Sequence, residues 1–166
     1  MIETATALFL GFIIIQRLSE LVIANRNTAL LLTKGAYEVG ASHYPVMVCM
    51  HGAWIVCLIT IGFGESVALG WLVLFFVLQI FRLWILASLG IRWTTRIVIL
   101  EEPLVVHGPF KYFSHPNYML VVAEIFITPM VLGLIWTAVV FSVLNAVMLW
   151  VRIGVEHKAL APLRGT

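Results

Sequence analysis

Five uninterrupted apolar runs, each close to the length of a membrane crossing, leave this chain few ways to fold. They cover approximately Ala5–Ile23, Tyr44–Phe63, Val67–Leu89, Tyr118–Ile135 and Trp136–Val155. A hydrocarbon core takes about 20 helical residues to cross, and within lipid every backbone polar group must find its partner inside the chain. The runs lack the alternation of barrel strands, which leaves helices. Composition agrees: 62% of the 166 residues are hydrophobic and 11% charged, against about 45–50% and about 25% in soluble domains. The expectation is an all-α, polytopic membrane protein of five transmembrane helices, forming one domain over residues 1–166.

The connections set its orientation. Arg26 and Lys34 follow the first run, Arg92, Arg96 and Lys111 the third, and Lys158 and Arg164 the fifth. The other side has no Lys or Arg at all, whether at the N-terminus, the Gly62–Ser66 turn or the bend around Gly133. By the positive-inside rule the N-terminus is outside and the C-terminus cytosolic in a multi-pass membrane protein. With no basic residue before Arg17, the first run reads as a retained helix and not as a cleaved signal. Within the 24–43 connection, an apolar Ala29–Leu32 core suggests an amphipathic segment on the inner leaflet. The last two runs form a tight hairpin bending near Gly133, with Pro129 expected to kink the fourth helix. Cys49 and Cys57 share one apolar run and read as core filler.

Ionisable residues inside spans are costly and point to function by default. Here they are Arg17, Glu20, His51, Arg82, Glu124, Arg152 and, at the edge, Glu156, all in the cytosolic halves. A cavity open to the cytosol fits this one-sided distribution better than a channel or pump. Arg17 and Glu20 are expected to bond to each other or to neighbouring helices, and His51 reads as a core histidine. The hairpin allows a sharper statement. Tyr118 and Arg152 each lie 17 residues from Ile135, hence about 25 Å from the bend along their helices. The start of the fourth helix should therefore lie beside Arg152 and Glu156.

Between the third and fourth runs, His107–Tyr118 (HGPFKYFSHPNY) is a polar segment punctuated by Gly and Pro. Each feature has a plain alternative. His115-Pro116-Asn117 could be no more than a helix start, where Pro is favoured. Arg152 and Glu156 could be an ion pair, although Arg preceding Glu is the weaker order, and Arg152 could be an anchor reaching for the interface. Motifs of zinc hydrolases, dinucleotide folds, P-loops and nucleophile elbows are missing.

Taken together, Gly108-Pro109-Phe110, His115-Pro116-Asn117-Tyr118, the apolar hairpin and Arg152-Ile153-x-x-Glu156 resemble the isoprenylcysteine carboxyl methyltransferase family. Arg92–Arg96 and Glu38–Pro45 look like its short bacterial branch, often associated with O-methylation of alkylpyrones or alkylresorcinols, which implies a bacterial inner membrane with the site facing the cytosol. The resemblance implies an S-adenosyl-L-methionine-dependent methyltransferase with its cofactor region in residues 90–166. Cofactor contacts would come from Glu102, Pro103, Leu104, Val105, Phe110, His115, Pro116, Asn117, Tyr118 and Glu156. Arg152 would bind the substrate's anionic acceptor, and Arg152 and Glu156 together would be catalytic. Ser114 stands where the family has Arg, and His157 replaces a second Glu and could supply an extra base. The expected partners are membrane lipids and a lipophilic or lipidated acceptor, an isoprenylcysteine-like carboxylate or a polyketide-type phenol or pyrone. No metal and no nucleic acid are expected. Alternative readings are an NADPH-dependent reductase of the sterol type and a small transporter or scaffold.

Overall fold

The computed structural model describes residues 2–161. Helices dominate: α1 (Ile2–Thr33), α2 (Tyr44–Gly62), α3 (Leu69–Leu89), α4 (Pro116–Val131) and α5 (Ile135–Leu160). Four of them are long and apolar enough to cross a membrane. Many of their outward side chains are bulky and apolar, such as Leu8, Ile80 and Trp150, which is the surface of an integral membrane protein. The fourth predicted crossing comes out shorter. At 16 residues, α4 is about 24 Å long, and α3 and α5 pack closely along it. Glu124, Ile125 and Thr128 of α4 are almost wholly enclosed, so much of this helix faces protein.

One expectation about a connection is corrected. The amphipathic segment after the first run is not a separate helix on the leaflet but the continuation of α1. Nothing in residues 24–33 breaks a helix, and Ala24, Asn27, Thr28 and Leu31 recur at helical spacing as a buried stripe. That stripe docks on protein, with Asn27 Nδ2 donating to the Trp93 carbonyl at 2.8 Å. Pro129 lies inside the fourth helix, as its position in the run implies. It sits in the last turn of α4, where its carbonyl accepts from the amides of Leu132 and Leu134. Pro129 therefore helps to end the helix. Gly133, at φ 69°, then turns the chain into α5.

A small element lies outside the all-α expectation. Strand β1 (Tyr37–Val39) pairs antiparallel with β2 (Ile97–Ile99), with Tyr37 opposite Ile99. The ribbon joins the two long connections on the side where the basic residues gather.

The charges buried in the helices hold one another. Glu124, fully enclosed on α4, accepts from Arg17 on α1 at 2.9 Å, from Gln79 on α3 at 3.1 Å, and from Arg82 on α3 through Nε at 3.1 Å and through Nη2. Glu20 accepts from Gln16 and Arg17, each at 3.0 Å, and from Arg82. Two guanidinium groups and two carboxylates make a formally neutral cluster, the arrangement in which buried charge is tolerable. Arg17 and Glu20 thus bond both to each other and to neighbouring helices. Below the cluster, Phe9 meets Phe75 edge to face at 5.1 Å, among Trp54, Leu58, Ile125 and Phe141.

Candidate functional site

Above the charge cluster is a cavity of about 450 Å³. Its floor is formed by Arg17, Glu20 and Arg82, its walls by α2 and α5, and its roof by Trp93–Ile99, which includes β2. The mouth is built from the 104–118 connection and the start of α4.

Most of the predicted cofactor residues gather here: Leu104, Val105, Phe110, His115, Pro116, Asn117 and Tyr118 all line the cavity, and Ser114 joins them. The local sequence explains why. Gly108, at φ 60°, begins a single 3-10 turn that carries Phe110 inward. A Cβ on Gly108 would collide with Ser88 Oγ, so the turn lies tight against the end of α3. Pro116 then opens α4, and the backbone carbonyl of the preceding His115 accepts hydrogen bonds from the amides of Tyr118 and Met119 at 3.1 Å each. The helix start proposed as a plain alternative is therefore real. It also places His115 and Tyr118 stacked at 5.5 Å on the cavity wall.

The hairpin geometry holds. Tyr118 donates its hydroxyl hydrogen bond to Glu156, and His115 Nδ1 lies 3.9 Å from Glu156 Oε1. Arg152 and Glu156 do not pair with each other. Arg152 Nη2 donates to the Thr95 carbonyl at 2.9 Å, and its Nε has no partner. At 4% exposure it is as buried as the charges of the cluster, yet among the described residues no carboxylate stands within ion-pair distance. Arg152 is thus a buried cation facing a cavity without a counter-ion, the arrangement expected of a receptor for an anionic group. Asn117 Oδ1 accepts from Trp93 Nε1 at 3.3 Å, tying the mouth to the roof.

Three predicted positions lie elsewhere. Glu102 is half exposed and bonds Arg92, while the Pro103 carbonyl accepts from Arg92 Nη1 at 2.6 Å. Neither lines the cavity; they brace its outer rim. His157 is exposed on the far face of α5, because one step along a helix rotates a side chain by about 100° away from Glu156. An extra base in the cavity is therefore not what His157 supplies.

The structure adds residues that the sequence reading passed over. Trp93 and Thr95 belong to the roof, and Asn145 joins Leu149, Arg152 and Glu156 as one stripe of α5 facing the cavity. Asn145 escaped notice because only ionisable residues were weighed within spans. Its signal was a lone amide in an otherwise apolar run. His51, read as a core histidine, also lines the cavity. Among the described residues no group of His, Cys, Asp or Glu could hold a metal ion.

Comparison with known proteins accords with this geometry. Residues 71–162 match the model of the isoprenylcysteine carboxyl methyltransferase (ICMT) family. The chain is 38% identical to the uncharacterized protein YpbQ of Bacillus subtilis over 159 residues, covering 92% of this chain and 95% of that one. It is 27% identical to an uncharacterized protein of Haemophilus influenzae over 155 residues, covering 89% and 90% respectively. No solved structure matches it at comparable significance.

Proposed function

Because the chain belongs to the isoprenylcysteine carboxyl methyltransferase family, we propose that it transfers a methyl group from S-adenosylmethionine to an oxygen of a lipophilic acceptor. The observation that carries this reading is the unpaired, buried Arg152 sharing one cavity with the 104–118 mouth and Glu156.

The residues present suit the cofactor. A cavity of about 450 Å³ falls within the range of about 300–1,000 Å³ usual for small-molecule sites. Phe110, Trp93 and Tyr118 offer aromatic surface for a purine, and the Glu156 carboxylate suits a neighbouring cation. Leu104, Val105, Phe110, His115–Tyr118 and Glu156 would hold the cofactor, which supplies an activated methyl on a sulfonium. Arg152 would hold the acceptor oxygen in its anionic form and aim it. A carboxylate acceptor needs no base. A phenol or enol would give its proton to Glu156, which Tyr118 steadies. Charge is neutralised in the reaction, so a site of low dielectric favours it, and positioning supplies most of the remaining barrier reduction.

Among the described residues, six basic side chains on the cavity's side and none opposite support an outside N-terminus and a site open to the cytosol. In that orientation a polar cofactor enters from the cytosol and a lipophilic acceptor from the inner leaflet, with α4 completing a five-helix bundle. Calorimetry on detergent-solubilised protein tests the reading. Micromolar binding of S-adenosylhomocysteine is the expected result; binding of NADPH instead, or of neither, refutes it.

A further inference from the structure

Two polar groups deeper in the cavity have no work in the reaction just described. Asn145 is 2% exposed and lines the cavity, and among the described residues its side-chain amide has no hydrogen-bond partner. His51 lines the same cavity from α2, with Nδ1 at 2.9 Å from the Met47 carbonyl. A carbonyl only accepts, so Nδ1 carries the proton and the Nε2 lone pair is left unspent.

The two lie at one depth. Both walls are pinned at Thr95: the Tyr44 hydroxyl, at the start of α2, is 3.2 Å from Thr95 Oγ1, and Arg152 bonds the Thr95 carbonyl. At the far end of α2, Gly62 approaches Leu132 and Leu134 in the turn that leads into α5, so α2 and α5 run antiparallel. Counting inward from the shared pin, His51 is seven residues from Tyr44 along α2, and Asn145 is seven residues from Arg152 along α5. Seven residues of helix amount to about 10 Å.

We infer that His51 and Asn145 form a second, uncharged polar subsite, which recognises a hydroxyl or carbonyl about 10 Å along the acceptor from the anionic end held by Arg152. A hydroxyl fits both groups, donating to His51 Nε2 and accepting from Asn145 Nδ2. A carbonyl takes the Asn145 donor. A purely hydrocarbon tail such as a prenyl chain would seal both groups away unsatisfied, an arrangement proteins avoid. The acceptor class this selects is a long amphiphile with an anionic head and an oxygen partway along its chain. The cofactor is a poorer occupant, because its expected contacts lie at the mouth, on the Thr95 side of the cavity.

The inference rests on the acceptor lying beneath Arg152, and its test is independent of turnover. Protein in nanodiscs is titrated by calorimetry with 9-hydroxyhexadecanoate and with hexadecanoate, using protein-free nanodiscs as the blank. The hydroxyl of the first probe sits at about the required distance from its carboxylate. The wild-type protein should bind the hydroxylated acid about tenfold more tightly. Asn145→Leu and His51→Phe should each cut that preference to about twofold or less while leaving S-adenosylhomocysteine affinity unchanged; circular dichroism reports which variants fold. Equal affinity for the two acids, binding of neither, or a preference that survives in a folded variant overturns the inference. So does a loss of S-adenosylhomocysteine binding in Asn145→Leu, which would assign the amide to the cofactor. S-adenosylhomocysteine binding to the wild-type protein reports separately on the methyltransferase reading.

Discussion

Replacing Glu124 by glutamine removes one negative charge from the centre of the helix bundle with almost no change in shape. Glu124 is fully enclosed and accepts four hydrogen bonds from Arg17, Gln79 and Arg82. Glutamine keeps one acceptor oxygen and turns an NH2 group toward a guanidinium or the Gln79 amide. The cluster passes from two positive and two negative charges to a net positive charge around a side chain that is wholly enclosed. Breaking a buried pair from one side costs about 3–5 kcal/mol, a large share of a folding free energy of about 5–15 kcal/mol. The assay is unfolding by dodecyl sulfate in mixed micelles, followed by tryptophan fluorescence. Removing Arg17 as well, as Arg17→Gln, restores neutrality, so the double variant should be more stable than the two single losses predict by about 2 kcal/mol. A loss below about 1 kcal/mol in Glu124→Gln, the size expected of exposed pairs, would refute the reasoning. Strict additivity in the double variant would do the same.

Other outcomes follow from the site. Arg152→Gln and Glu156→Gln should each lower methyl transfer at least about a hundredfold while the circular dichroism spectrum stays helical; lost helicity would make them structural residues. His115→Ala should weaken S-adenosylhomocysteine binding about tenfold with little change in the unfolding midpoint, and unchanged affinity would reduce HPNY to a helix start. Gly108→Ala meets both a left-handed backbone, worth about 1–2 kcal/mol, and a collision with Ser88. Gly35→Ala, at φ 88° with open space around it, meets only the first. The Gly108 variant should therefore lose the more stability in the same unfolding assay, and equal losses would contradict the tight turn.

Much of this architecture could be read from residue order because lipid removes most alternatives. Continuous apolar runs must be helices there, and equal counts from a bend put Tyr118 next to Glu156. Reading failed where protein, not lipid, supplied the partner. The α1 stripe from Ala24 to Leu31 looks the same in sequence whether it covers a leaflet or the Trp93 connection. The ribbon of Tyr37–Val39 with Ile97–Ile99 was hidden because three-residue strands carry too little alternation to register. Arg152 and Glu156 stand at pairing distance in sequence, but Thr95 and Tyr118 take their hydrogen bonds. Spacing gives adjacency; only packing says who bonds whom.

The β1–β2 ribbon also has a consequence for biosynthesis. Tyr37 and Ile99 are partners sixty-two positions apart in the chain. At about 5–20 residues per second, β1 leaves the ribosome several seconds before its partner exists. During that interval α2 and α3 must enter the membrane, while the edge of β1 stays unpaired. The cavity's roof is then closed last, when Arg152 emerges and bonds the Thr95 carbonyl. A ribosome stalled before residue 99 would hold a membrane-inserted chain that has no site. Binding competence should therefore appear late and abruptly during translation, even though most of the membrane-spanning helices are by then in place.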